Sequence, residues 1–169
     1  KAGQVPILLH NGLVVNDTIS IIEYIAETWP DKNIWPKNKA ARAKARSVAA
    51  EMHAGFRAIR SACPMNLRRE EKLPPGGISD AIAKDVARLE ELWAECRAAY
   101  GKGGPFLFGK FSAADAMFAP VFSRLKTFVI PVKKETRTYM NAILSTPAFV
   151  KWKADSESEK WIVPEDEVD

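Results

Sequence analysis

Apolar positions change their period once along the chain. The first blocks are short and β-rich, Val5-Pro6-Ile7-Leu8-Leu9 and Leu13-Val14-Val15, separated by His10-Asn11-Gly12. Asn-Gly between two such blocks predicts a hairpin. From Ile19 the period becomes helical: Ile19, Ile22, Ile25 and Ala26 step by three and four. That helix is expected to open at Asn16-Asp17-Thr18, which supplies cap residues. It is expected to end at Trp29-Pro30, because proline cannot continue it. A two-stranded hairpin with one helix is marginal by itself in water. Residues 1–30, which open on Lys1 and not on methionine, are therefore expected to be one half of a unit whose other half pairs with the first strand.

Residues 31–38 form a polar linker containing Pro36, and from residue 39 to residue 169 the pattern is helical throughout. Ala45, Val48, Ala49, Met52, Phe56, Ile59 and Cys63 make one stripe with steps of three and four, which predicts a single long amphipathic helix. Lys72-Leu73-Pro74-Pro75-Gly76-Gly77 interrupts the pattern, and Ser79 caps the next stripe: Ile82, Val86, Leu89, Trp93, Cys96, Tyr100. The helix from Ala113 differs in kind. Ala114, Met117, Phe118, Ala119, Val121, Phe122 and Leu125 leave little polar face, which places that helix at the centre of a bundle. Shorter helices are expected near residues 135–144 and 147–154, and the Trp161-Ile162-Val163 cluster is expected to fold back onto the body. The fold class is α+β: a partial ββα unit followed by an all-α bundle.

Composition narrows the function classes. Of 169 residues, 47% are hydrophobic and 27% charged, as in ordinary globular domains, and no apolar run reaches the length of a membrane span. No membrane contact is expected. Seven acids and one lysine leave residues 155–169 at −6, so the remainder carries +10 against an overall +4. Lys32, Lys37, Lys39, Arg42, Lys44 and Arg46 follow one another with no acid between them. Such a run marks either a nucleic-acid surface or a solvated helix face. Trp35 is the one aromatic residue among them, too few to stack successive bases, which favours the second, so no nucleic acid is expected as a partner. Cys63 and Cys96 lie far apart in helical patterns, as reduced core thiols do in a cytoplasmic protein. Only His10 and His53 are present, without paired Cys/His spacing, so no metal site is expected.

Three segments carry a family resemblance, in order and in spacing. Gly3-Gln4-Val5-Pro6-Ile7-Leu8 is similar to the Gly-Lys-Val-Pro-x-Leu of cytosolic glutathione transferases. Asn16-Asp17-Thr18-Ile19-Ser20-Ile21-Ile22-Glu23-Tyr24-Ile25 resembles their Glu-Ser-x-Ala-Ile-x-x-Tyr-Leu. Phe111-Ser112-Ala113-Ala114-Asp115 resembles the capping box of their buried central helix. A fourth stretch, Glu51 to Phe56 through Pro64-Met65-Asn66, looks like a bacterial subgroup whose catalytic residue is usually a serine near the N-terminus. The resemblance runs over essentially the whole chain. It implies that residues 1–30 are the second half of a thioredoxin-like glutathione-binding domain and that residues 39–169 are the helical domain. The catalytic Ser, Tyr or Cys of the family would lie in the first half, so no catalytic residue is assigned within this sequence.

The resemblance also implies roles for particular residues. The Val5-Pro6 bond is cis in the family. The backbone of Val5 could then pair with the peptide backbone of glutathione as an added strand does, although by itself a Val-Pro pair is far more often a plain turn or strand start. Asp17-Thr18 by itself reads first as an N-cap, and under the resemblance as an anion site at a helix N-terminus. In the second case Thr18 receives the γ-glutamyl carboxylate and Asp17 the ammonium. The family pair is Glu-Ser, so this chain has a shorter acid and an added methyl group. Met52, His53, Phe56 and Arg60 are candidates for the co-substrate pocket, with core packing the competing reading for Met52 and Phe56 and a structural role the competing one for His53. Ser112 and Asp115 are structural, closing a buried helix end. The implied activity is conjugation of the glutathione thiolate to a small apolar electrophile, in detoxification, or glutathione-dependent peroxide reduction. Glutathione is the co-substrate, the protein is a homodimer, and the rival reading is a non-catalytic interaction module on the same fold.

Overall fold

The computed structural model describes Gly3 and residues 5–168. A hairpin of β1 (Ile7–His10) and β2 (Leu13–Asn16) leads into α1 (Thr18–Thr28). Six helices follow: α2 (Lys39–Ala54), α3 (Arg57–Ala62), α4 (Asp80–Tyr100), α5 (Ala113–Thr127), α6 (Lys134–Leu144) and α7 (Pro147–Glu157). The strands are antiparallel, with Ile7 opposite Asn16 and His10 opposite Leu13. Directly paired residues share a face. On one face His10 Nδ1 lies 2.8 Å from the Tyr24 hydroxyl, which ties the hairpin to α1. The other face carries Ile7, Leu9 and Val14, all exposed.

The helical core is built where the sequence stripes predict it. Ala45, Val48 and Ala49 of α2, Leu89 and Trp93 of α4, Phe118 and Phe122 of α5, and Tyr139 of α6 are buried together. Trp93 meets Phe118 edge-on, with ring centroids 5.4 Å apart, and Phe122 at 4.6 Å. Tyr139 meets Phe122 edge-on at 4.9 Å. Such pairings add to plain area burial.

One predicted helix is two. The stripe from Ala45 to Cys63 keeps its period, but the backbone breaks at Gly55, which caps α2, and at Phe56, whose φ is 57°. A Cβ on Gly55 would lie 2.8 Å from the Glu51 carbonyl oxygen, so glycine is required for that close approach. The tail also departs from expectation. It does fold back: Arg68 donates to the carbonyls of Glu159 and Trp161 at 2.7 and 3.0 Å, and Arg69 Nε to that of Val168 at 2.8 Å. The side chains of Trp161, Ile162 and Val163 nevertheless remain exposed. The backbone carbonyls, not the apolar cluster, make the attachment.

The centre of the bundle is polar at one point. Asp115, in the first turn of α5, is fully buried. Its Oδ2 accepts from the Ser112 amide at 2.8 Å and the Ser112 hydroxyl at 2.9 Å, and its Oδ1 accepts from the Leu107 amide at 3.0 Å and the Tyr139 hydroxyl at 2.8 Å. Burial pushes the carboxyl above its ordinary pKa, and these donors pull against that shift. The Ala113 amide, another orphan donor of the helix start, goes to the Ile34 carbonyl at 2.9 Å.

Replacing Asp115 with alanine would strand several buried donors at once. Each unsatisfied group costs ~1–3 kcal/mol, so Asp115→Ala is expected to destabilise by ~3 kcal/mol or more. Tyr139→Phe removes a single donor and is expected to cost only ~1 kcal/mol. Urea unfolding of both variants measures the ratio, and equal losses would mean that the Asp115 carboxylate is not the organising acceptor.

Candidate functional site

The N-terminus of α1 is built by Asp17. Its φ of 70° and ψ of 136° turn the chain from β2 into the helix. Few side chains tolerate a positive φ, and Asp and Asn are among those enriched there. The Asp17 Oδ1 accepts from the Ile19 amide at 2.8 Å and the Ser20 amide at 3.3 Å. Among the described residues, neither the Thr18 amide nor its hydroxyl has a hydrogen-bond partner in the chain, so both face outward from a helix start.

The other Asp17 oxygen meets α2. His53 Nε2 lies 2.8 Å from Asp17 Oδ2, with both side chains partly exposed. At the middle of α1, Arg46 of α2 holds Glu23 through two bonds of 2.9 and 2.6 Å. Glu23 pairs with the earlier residue of α2 and Asp17 with the later one, so the two helices run antiparallel, tied at the start and the middle of α1. Glu23 is therefore engaged within its own chain, not held free for a second subunit. Two more residues of the basic run are engaged within the chain: Lys44 pairs with Glu95 at 3.1 Å, and Arg42 donates to the carbonyls of Pro36 and Lys37.

Val5 and Pro6 are joined by a cis peptide bond, and Val5 is exposed. The strand register ends at Ile7 opposite Asn16, which sets Pro6 beside Asp17. Val5, Pro6, Asp17, Thr18 and His53 thus gather at one end of the hairpin. Arg60 is exposed on α3, and its guanidinium donates to the His53 carbonyl at 3.1 Å. Met52 and Phe56 are core residues, 5% and 7% exposed, so the apolar walls expected of them are turned into the bundle. Both lie on the apolar stripe that runs from α2 into α3, and that stripe faces the bundle. The two cysteines are buried, and burial pushes both thiols up to about 11, which disfavours the thiolate a nucleophile needs.

A hairpin leading into a helix with an anion-receptive N-terminus, ahead of a bundle with a polar-capped central helix, defines a partial thioredoxin-like unit joined to a transferase-type helical domain. Residues 79–137 match the family model of the glutathione S-transferase C-terminal domain. The chain is 34% identical over 114 residues to a probable glutathione S-transferase of Oryza sativa subsp. japonica, covering 63% of this chain and 44% of that protein. It is 26% identical over 125 residues to glutathione S-transferase omega-1 of Rattus norvegicus, covering 73% and 48%. Among solved structures, a Burkholderia glutathione transferase homologue with bound glutathione superposes with a TM-score of 0.66 at 20% identity, covering 92% of this chain and 75% of that one. The chain is similar to members of the glutathione S-transferase family, through the family-model match to its helical domain and through these relatives. It spans about half the length of the curated relatives it matches.

The Asp17 cap carries a pH dependence. Its carboxyl is held below the ordinary 3.8, first by the Ser20 amide, then by the Ile19 amide and His53, against a smaller opposing effect of burial. A lowered folded-state pKa contributes stability that is present above the unfolded value and is lost as pH falls through the folded one. Asn caps helices and tolerates positive φ but cannot ionise. Wild type is therefore expected to exceed Asp17→Asn in stability at neutral pH, and that margin is expected to vanish in acid below 3.8. Denaturant midpoints at the two pH values check this; a constant margin would remove the charge from the effect.

Proposed function

We propose that the protein is a glutathione transferase in which Asp17, Thr18 and the backbone of Val5 bind glutathione and present its thiolate to a small apolar electrophile or to a peroxide. The single observation that carries this reading is the start of α1: a free Thr18 amide and hydroxyl beside an ionised Asp17 whose second oxygen is held by His53. The carboxylate of the γ-glutamyl group suits the Thr18 donors at the positive end of the helix, and its ammonium suits Asp17 Oδ2. His53 orients that oxygen by fixing the carboxylate plane. The glutathione-bound Burkholderia homologue supports the same ligand for this fold. A free thiol ionises near ~8.5, so turnover at neutral pH requires a donor that favours the thiolate. The buried thiols of Cys63 and Cys96 are unsuited to that task, and no residue of this chain is assigned to it.

Calorimetry with glutathione on the intact protein tests the binding site. Asp17→Gly is the informative variant, because glycine accepts a positive φ without steric cost and loses little as an N-cap. It removes the carboxylate and leaves the turn. Affinity of the folded protein is expected to fall by ~1.5–3 kcal/mol, the range of a charge-assisted hydrogen bond, alongside a loss of melting temperature at least as large as that of Asp17→Asn. Unaltered affinity would take Asp17 out of the site.

We also propose a two-fold homodimer, as the family resemblance implies. With Glu23 held by Arg46, the acid left on α1 for contact with a second subunit is Glu27, which has no ion-pair partner among the described residues. Such a pair would steer association more than strengthen it. Sedimentation of the intact protein is expected to give a dimer at low and at high salt, and a monomer at both would end this reading.

A further inference from the structure

His53 and Asp17 meet through one pair of atoms. His53 Nε2, on α2, lies 2.8 Å from Asp17 Oδ2 at the start of α1. An ionised carboxylate oxygen only accepts, so Nε2 carries the hydrogen of that bond. The second ring nitrogen, Nδ1, has no hydrogen-bond partner among the described residues, and the side chain is partly exposed. A further proton therefore enters at Nδ1. Protonation of His53 leaves the bond to Asp17 in place and changes only the charge of the pair, from a unit negative charge to none. Asp17 Oδ1 already takes the Ile19 and Ser20 amides. Oδ2 takes one donor, and a carboxylate oxygen has two acceptor sites.

The charged groups on the surrounding elements have other partners or stand apart from the ring. Glu23 of α1 is held by Arg46, and Glu51, two residues before His53, is held by Arg88 of α4. On α3, Arg57 and Arg60 are exposed, and Arg60 reaches the His53 backbone carbonyl at 3.1 Å, not the ring. Asp85 of α4 accepts from the Ile59 amide, and Arg124 of α5 donates to the carbonyls of Cys63 and Pro120. Among the described residues, no other charged side chain forms an ion pair with Asp17 or His53.

We propose that His53 sets how strictly the site demands an amino group on its ligand. This rests on the reading that the start of α1 binds a γ-glutamyl peptide. With the imidazole neutral, the pair is negative and selects the γ-glutamyl ammonium over a deaminated end group. With the imidazole protonated, an imidazolium already stands on the oxygen that the ammonium would approach. Two unit charges ~4 Å apart in a solvated setting change affinity by about fivefold. The deaminated ligand responds in the opposite sense, because its carboxylate near Thr18 no longer faces a net negative pair. Histidine suits this role because its charge changes near neutral pH.

Calorimetry on the intact protein tests this with two ligands, glutathione and glutaryl-cysteinyl-glycine, the same peptide without its amino group. It is done at about pH 5 and about pH 7.5, which bracket the ordinary histidine range. Asp17, held below 3.8, stays ionised at both. The ratio of the two affinities cancels the thiol and the glycine carboxylate, which both ligands share. Glutathione is expected to be preferred at the higher pH, and the preference is expected to shrink by about fivefold or more at the lower one. His53→Gln keeps an N–H for Asp17 but cannot ionise, so its preference should be equal at both pH values. NMR of the His53 ring gives a reading that a merely structural role would not move. Saturating glutathione should shift its titration to lower pH, and the deaminated peptide should shift it to higher pH. A wild-type preference that is constant with pH, or one that still changes in His53→Gln, would overturn the role of His53 and leave the glutathione site standing. A preference that survives Asp17→Gly would overturn the site, and the role of His53 with it.

Discussion

The structure depends most on the Asp115 carboxylate. A helix apolar on nearly every side must be enclosed, and enclosure deprives its first turn of water. Asp115 resolves this by accepting from Ser112, Leu107 and Tyr139 together. Those donors come from the cap of α5, the loop before it and the facing helix α6. One side chain therefore fixes the direction of α5, the path of residues 106–112 and the approach of α6. A buried carboxylate is costly without partners and organising with them. The Ile34 carbonyl, which takes the Ala113 amide, extends the same solution to the segment that leads into α2.

The candidate site depends on that centre through α2. Ala45, Val48 and Ala49 seat α2 in the core beside α5, and the flank of α2 next to that stripe presents Arg46 and His53 to α1. No residue of α1 is itself buried. Its place rests on the partial packing of Ile19, Ile22 and Ala26 and on the two ion pairs at its start and middle. Exposed ion pairs contribute little stability individually. Their value here is positional: they set where the start of α1 lies against α2, and they hold the Asp17 carboxylate between the Ile19 and Ser20 amides and His53. The hairpin is held more loosely still, with Ile7, Leu9 and Val14 on an uncovered face.

Local chemistry was legible in the sequence because it is local. Asn11-Gly12 set the hairpin, Asp17 the start of α1, Ser79 that of α4, and the Ser112/Asp115 spacing that of α5. The apolar stripes named the core, including Trp93, Phe118 and Phe122, because helical period alone decides which residues share a face. The break at Gly55-Phe56 was hidden for the same reason: the stripe stays in phase across it, so periodicity registers no change. Gly55 was the only local signal, and a lone glycine in a helical pattern is ambiguous.

What the sequence determined by itself, then, was the order of elements, their caps, the core and the family pattern at Asp17-Thr18. Each follows from residues within a few positions of one another. What only the tertiary structure decided was which distant groups meet. The His53 contact with Asp17, the Arg46 hold on Glu23 and the Tyr139 bond to Asp115 have no sequence period. They arise because packing α2 against α5, and α6 against both α4 and α5, brings side chains from separate helices within reach, and the pairing of such surfaces is a property of the assembled core.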